Sequence, residues 1–219
     1  MGGLLSAAAV LDRISRTVGK LASWLILPLI AMIMFDVITR KIHYINQWSA
    51  EFTMSHGYSI SFILQDLEWH LHGALLLLTF GFGYLMDAHV RVDIFREHLG
   101  RRKQAWLEMI GLGIGGIPFL CVMIWFAWVM AHASWLQDEG SESQVGLGMR
   151  YIIKSFLIWG FVIVWMAAVA TFLRCVAYLF GDYEEQAIAE DEIQFFSAAE
   201  PLPKVVLDPE TPGIEGTRT

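Results

Sequence analysis

Polar residues are sparse along most of this chain, and their positions divide it. Four apolar runs, 21–39, 69–88, 109–136 and 155–173, suit a hydrocarbon core that takes about 20 residues to cross. Few polar residues interrupt them, chiefly Asp36, His70, His72, Asp87 and His132. No water satisfies the backbone inside a bilayer, so such runs must close their hydrogen bonds internally as helices. The pattern predicts an all-α integral membrane protein with four transmembrane helices.

The stretches between the runs have characters of their own. Over 2–20, Leu4, Leu5, Ala8, Leu11 and Ile14 recur at helical spacing, with Arg13, Arg16 and Lys20 clustered at the end. This predicts an amphipathic helix on the cytoplasmic face of the membrane. The following apolar run continues through Phe35 without a small-residue cleavage site, so it reads as a retained signal-anchor. Over 40–68, Trp48, Phe52, Tyr58 and Phe62 mix with Ser, His, Gln and acids, which predicts one or two interfacial helices. In the loop 87–106, Asp93 can cap a short helix that Gly100 ends. Arg101, Arg102 and Lys103 then face anionic lipid headgroups. The loop 137–150 is rich in Gly and Ser. In the tail, Pro201, Pro203, Pro209 and Pro212 and little periodicity after Phe196 predict disorder. The expected division is a surface helix at 1–20, a membrane domain at 21–181 and an acidic cytoplasmic tail at 182–219. No internal repeat is visible, which argues against an inverted-repeat transporter core.

Composition agrees with this pattern, and charge refines it. The chain is 56% hydrophobic with nine Trp and 17% charged residues, below the roughly 25% of soluble domains. Its formal net charge is −7, but ten acids against two bases fall in 182–219, which leaves the rest near neutrality. Nothing in this balance suits a nucleic-acid partner. If the N-terminus is cytoplasmic, eleven Lys and Arg lie inside and four (Arg40, Lys41, Arg150 and Lys154) lie outside. The positive-inside bias then puts both termini in the cytoplasm. Cys121 and Cys175 fall at different depths of their runs, which opposes a disulfide.

Several groups invite a chemical reading. Asp36 and Arg40 are four residues apart, the spacing of an ion pair on one helix face. His72 and His132 both lie toward the outer ends of their runs. An alternative function follows from them, a cytochrome b-type haem-binding membrane anchor. Gly111, Gly113, Gly115 and Gly116 lie within a span, where small residues favour helix packing, and Pro118 predicts a kink. A self-contained channel would need a polar pore lining, and the runs supply few such residues. The densest polar group is Asp87-Ala88-His89-Val90-Arg91-Val92-Asp93 at a predicted membrane boundary. His89 and Asp93 have pairing spacing, and Arg91 can reach a lipid phosphate or a partner carboxylate.

Three blocks carry a family resemblance: Leu67-Glu68-Trp69-His70-Leu71-His72; Asp87 to Asp93 followed by Arg101, Arg102, Ala105 and Trp106; and Ser134-Trp135, Glu139-Gly140-Ser141, Gly146-Leu147, Tyr151 and Lys154. In their order and spacing, over 21–181, the chain resembles the small, DctQ-type membrane subunit of TRAP (tripartite ATP-independent periplasmic) transporters. The segment 44–62 and the tail exceed the family pattern in length. The resemblance implies a scaffold subunit in the bacterial inner membrane, without cofactor or enzymatic activity. Its implied partners are a large elevator-type membrane subunit, a periplasmic substrate-binding protein and membrane lipids. Together they import an organic acid or related solute, driven by a sodium (or proton) gradient. On this reading His89, Arg91, Asp93, Glu68 and Trp69 form a structural or partner motif. Trp48, Trp135, Asp138, Glu139, Glu142, Arg150 and Lys154 are candidates for contact with the binding protein.

Overall fold

The computed structural model describes residues 2–88, 99–141 and 146–193. Among them the chain is helical throughout, without strands. The helices are α1 (Gly2–Ser23), α2 (Ile26–Lys41), α3 (His43–His56), α4 (Ile60–Leu85), α5 (Arg101–Ile110), α6 (Ile117–Leu136), α7 (Tyr151–Phe180) and α8 (Tyr183–Glu192). A π-helical segment, Gly111–Gly116, joins α5 to α6. Among the described residues, three stretches are long and apolar enough to cross a membrane: Gly2–Lys41, Arg101–Leu136 and Tyr151–Phe180. Expectation and structure differ over the second of the four predicted spans. That run lies in α4, which is not among the three; the helix starts at Ile60, nine residues early, and takes in Gln65, Asp66, Glu68, His70 and His72. These polar residues lower the hydropathy of its first half.

The order of the bundle follows from α7, which packs against α1, α4, α5, α6 and α8. Its buried residues are mostly small: Gly160, Ala167, Ala168, Ala170, Cys175 and Ala177. Small side chains allow helix backbones to approach closely. The α4–α7 seam shows how closely. A Cβ on Gly160 would lie 2.9 Å from the Cβ and 3.0 Å from the carbonyl oxygen of Leu77. A Cβ on Gly81 would lie 2.6 Å from Ile163 Cγ2.

Helix α1, which the sequence places on the membrane surface, runs along α4 and α7. Its buried face is Leu5, Ala8, Ser15, Gly19 and Ala22, a stripe of mostly small residues turned away from the exposed Ile14. The Ser15 hydroxyl donates to the Ile163 carbonyl at 3.3 Å. α1 and α2 are nearly continuous, and Pro28 explains their break. Without an N–H, Pro28 cannot donate to the Trp24 carbonyl four residues back. Leu27 donates to that carbonyl instead, at 3.2 Å, in a tightened turn.

The segment 40–68 contains α3, which buries none of its residues. Trp48, Phe52 and His56 stack along it, with ring centroids 5.7 and 4.2 Å apart. Gly57, at φ 75°, ends it in the left-handed conformation that suits glycine. Where the sequence predicts a kink at Pro118, a π-helical segment precedes the proline. Pro118 leaves the Ile114 carbonyl without its α-helical donor, and a π turn re-routes such bonds. The first residues of the acidic tail form α8, which docks through Ala189 and Ile193 against Leu5, Ala105, Cys175, Ala177 and Leu179. Residues 194–219 lie outside the described residues.

Candidate functional site

Polar side chains gather at the two ends of the bundle. At the α8 end, Arg174 is only 6% exposed and joins three helices. Its Nε donates to Glu192 at 2.9 Å, and its Nη1 lies 3.4 Å from Asp12. Asp12 also accepts from Arg16 at 2.6 Å, and Arg101 pairs with Glu190. α8 is therefore held by charge as well as by apolar contact. Sequence reasoning missed this cluster because Arg174 lies in the last turns of an apolar helix and its partners are 162 and 18 residues away.

The opposite end is built around the loop 137–150. Asp138, at φ 46°, is the left-handed residue of a Schellman cap on α6. The Glu139 N–H returns to the Ser134 carbonyl and the Asp138 N–H to the Trp135 carbonyl, both at 3.2 Å. This cap directs the Glu139 carboxylate to the Ser134 hydroxyl at 2.7 Å and to Lys154. Arg150 lies 3.9 Å away, and its N–H donates to the Glu139 carbonyl. Asp66 of α4 fastens the same loop, with one oxygen accepting from the Ser141 hydroxyl and the Leu147 N–H, both at 2.8 Å. Asp66, His70, Ser141 and Arg150 line a cavity of about 480 Å3. Asp66 carried only a weak sequence signal, an acid with Phe62 and Trp69 one turn either side.

The sequence-derived candidates fall into separate groups. Glu139, Arg150 and Lys154 come together and satisfy one another, so their geometry suits them to hold the loop in shape. Trp48, Trp135 and Asp138 are exposed at this end. Glu142 lies outside the described residues. Glu68 and Trp69 lie on α4, two and three residues past Asp66. The predicted Asp36–Arg40 ion pair forms at 2.8 Å. His89, Arg91 and Asp93 lie outside the described residues. Of their block Asp87 is described. It sits at φ 52° and caps α4 as Asp138 caps α6, with Ala88 N–H to Gly83 carbonyl at 3.0 Å. His72 opens beside Leu29, Ile33, Glu68 and Trp69, whereas His132 stacks on Trp128 and lies tilted against Trp135 of its own helix. The two histidines of the haem alternative thus occupy different surroundings. Among the described residues, no group of three or more His, Cys, Asp or Glu is arranged to hold a metal ion.

The hydrogen bond from Lys154, with that from Ser134, holds the Glu139 carboxyl below its ordinary value of 4.5. A group depressed in the folded state contributes stability above its unfolded value and loses it as pH falls through the folded one. We therefore predict that amide exchange in 137–150, corrected for its intrinsic pH dependence, accelerates below pH 4.5. Glu139→Gln should make exchange in the loop fast at neutral pH and nearly insensitive to pH.

Apolar helices with most of their charge toward the ends define a helical membrane protein. The chain's particular family is also clear: the model for tripartite ATP-independent periplasmic transporters, DctQ component, matches residues 29–177, and the chain belongs to that family. It is thus a small-subunit component of a TRAP transporter. No curated protein and no solved structure matches it.

Proposed function

We propose that the chain is a non-catalytic scaffold subunit that crosses the bacterial inner membrane four times with both termini in the cytoplasm. α4 is the second span, the α8 end is cytoplasmic and the α3 end is periplasmic. The chain works beside a large elevator-type membrane subunit and a periplasmic substrate-binding protein to import an organic acid or related solute on a sodium (or proton) gradient.

The observation that carries this reading is the outer face of α6. That helix packs on α7 through Ala127, Ala131 and Ser134, yet Phe119, Trp125, Phe126, Trp128 and Val129 remain exposed. So broad an apolar face requires cover by lipid tails or a partner helix. The charge distribution supports the orientation, since Arg16, Arg101, Arg102, Lys103 and Arg174 belong to the proposed cytoplasmic end. Trp48, Trp135, Asp138, Glu139, Glu142, Arg150 and Lys154 then belong to the end that meets the binding protein. His89, Arg91, Asp93, Glu68 and Trp69 serve assembly. The division into 1–20, 21–181 and 182–219 remains useful for charge, with α1 taken as part of the bundle.

Single-cysteine labelling in intact cells, in a Cys121→Ser/Cys175→Ser background, tests the arrangement. Cysteines at Ser55 and Gly140 should react with an impermeant maleimide, and one at Gly100 should react only after lysis. Labelling of Gly100 from outside would contradict the four-span topology.

A further inference from the structure

We propose that the cleft between α2 and α4 beside Glu68 receives a basic side chain, Arg or Lys, from the large membrane subunit of the transporter. The proposal rests on the reading of the chain as the small subunit.

Charge at the cleft is unbalanced. Asp36 is 5% exposed, and its Oδ2 is paired with Arg40 at 2.8 Å. Glu68 lies within electrostatic range of both. Two carboxylates against one guanidinium leave one negative charge over, on helices whose neighbouring residues are mostly apolar. Oε1 of Glu68 and Oδ1 of Asp36 are buried without a hydrogen-bond partner among the described residues. An acid so placed is costly unless a cation or a proton joins it.

The cavity beside Glu68 is the second, independent observation. It measures about 280 Å3 and is lined by Leu29, Ile33, Glu68, Trp69 and His72. Leu29 and Ile33 suit the aliphatic stem of a long basic side chain, and the indole of Trp69 suits its cationic head. Trp69 is 75% exposed, so the cleft is open from the flank of the bundle, where a neighbouring membrane helix would lie. The complementary partner is therefore a cation on an apolar stem.

The test compares Glu68→Gln with the native residue in two settings. In the first, the full chain is co-expressed with a tagged large subunit, and the amount of small chain recovered per large subunit is read. Glu68→Gln should lower recovery about tenfold, and Glu68→Lys should abolish it, whereas Glu51→Gln on exposed α3 should leave it unchanged. In the second, the chain is purified alone, and Glu68→Gln should raise its melting temperature, because the neutral amide relieves an unmatched charge. Equal recovery of native and Glu68→Gln chains would overturn the proposal and leave a lipid amine or a proton as the counter-charge. A Glu68→Gln chain that melts earlier when alone would also overturn it, by making Glu68 a structural residue. If even the native chain recovered no large subunit, the small-subunit reading itself would fail.

Discussion

Gly160→Val is expected to force α4 and α7 apart and to destabilise the whole bundle. At this position α7 meets α4 backbone to backbone, and even a methyl group would press on the Cβ and carbonyl oxygen of Leu77. The carbonyl belongs to a helix and cannot rotate away, so relief requires the two helices to separate. Separation would also open the neighbouring contact of Gly81 with Ile163 and the Ser15 hydrogen bond that α1 makes there. Overpacking of this kind costs about 3 kcal/mol. In detergent the melting temperature should fall by roughly 10 °C. Gly115→Ala is the control, because a Cβ there meets nothing within 4 Å. A Gly160→Val chain that melts with the native protein would mean that α4 and α7 are not packed as described.

Arg174→Ala is expected to have a somewhat smaller effect, confined to one end. The substitution leaves Asp12 and Glu192 facing each other without their shared cation. Asp12 is mostly buried and Glu192 is 38% exposed, so solvent screens part of the loss. About 2 kcal/mol is reasonable for a pair of this exposure. The effect should appear as release of α8: amide exchange over 183–193 should accelerate, with α4 unchanged. Arg174→Lys retains the charge but loses the two-sided fork, and should recover part of the protection. Unchanged exchange in α8 would show that Ala189 and Ile193 hold it without help from charge.

Much of the fold was legible in the sequence because a bilayer imposes one strong rule, that long apolar runs become helices. The pattern found the cores of α2, α4, α6 and α7. It found the Asp36–Arg40 pair because the partners lie four residues apart on one helix. It placed α1 on the membrane surface from its amphipathic spacing, which does not say what covers an apolar face. In the structure α1 meets α4 and α7 through small residues that hydropathy barely registers. It named no helix after Gly181 because α8 is acidic and short, and its stability comes from distant residues such as Arg174 and Cys175. The Asp87 block drew attention for its charge, yet the described part serves as a backbone cap, where Asp tolerates a left-handed turn. At the loop end the residues of the cluster were visible, but the role of Asp66 in fastening Ser141 and Leu147 depends on proximity across 75 and 81 residues.

The scaffold role is tested most directly by reconstituted uptake. Liposomes would contain the large membrane subunit with this chain, the large subunit alone, or this chain alone, each supplied with the binding protein, its solute and a sodium gradient. The account predicts uptake only when both membrane subunits are present, and none with this chain alone. Full uptake by the large subunit alone, or sodium-driven uptake by this chain without it, would contradict the account.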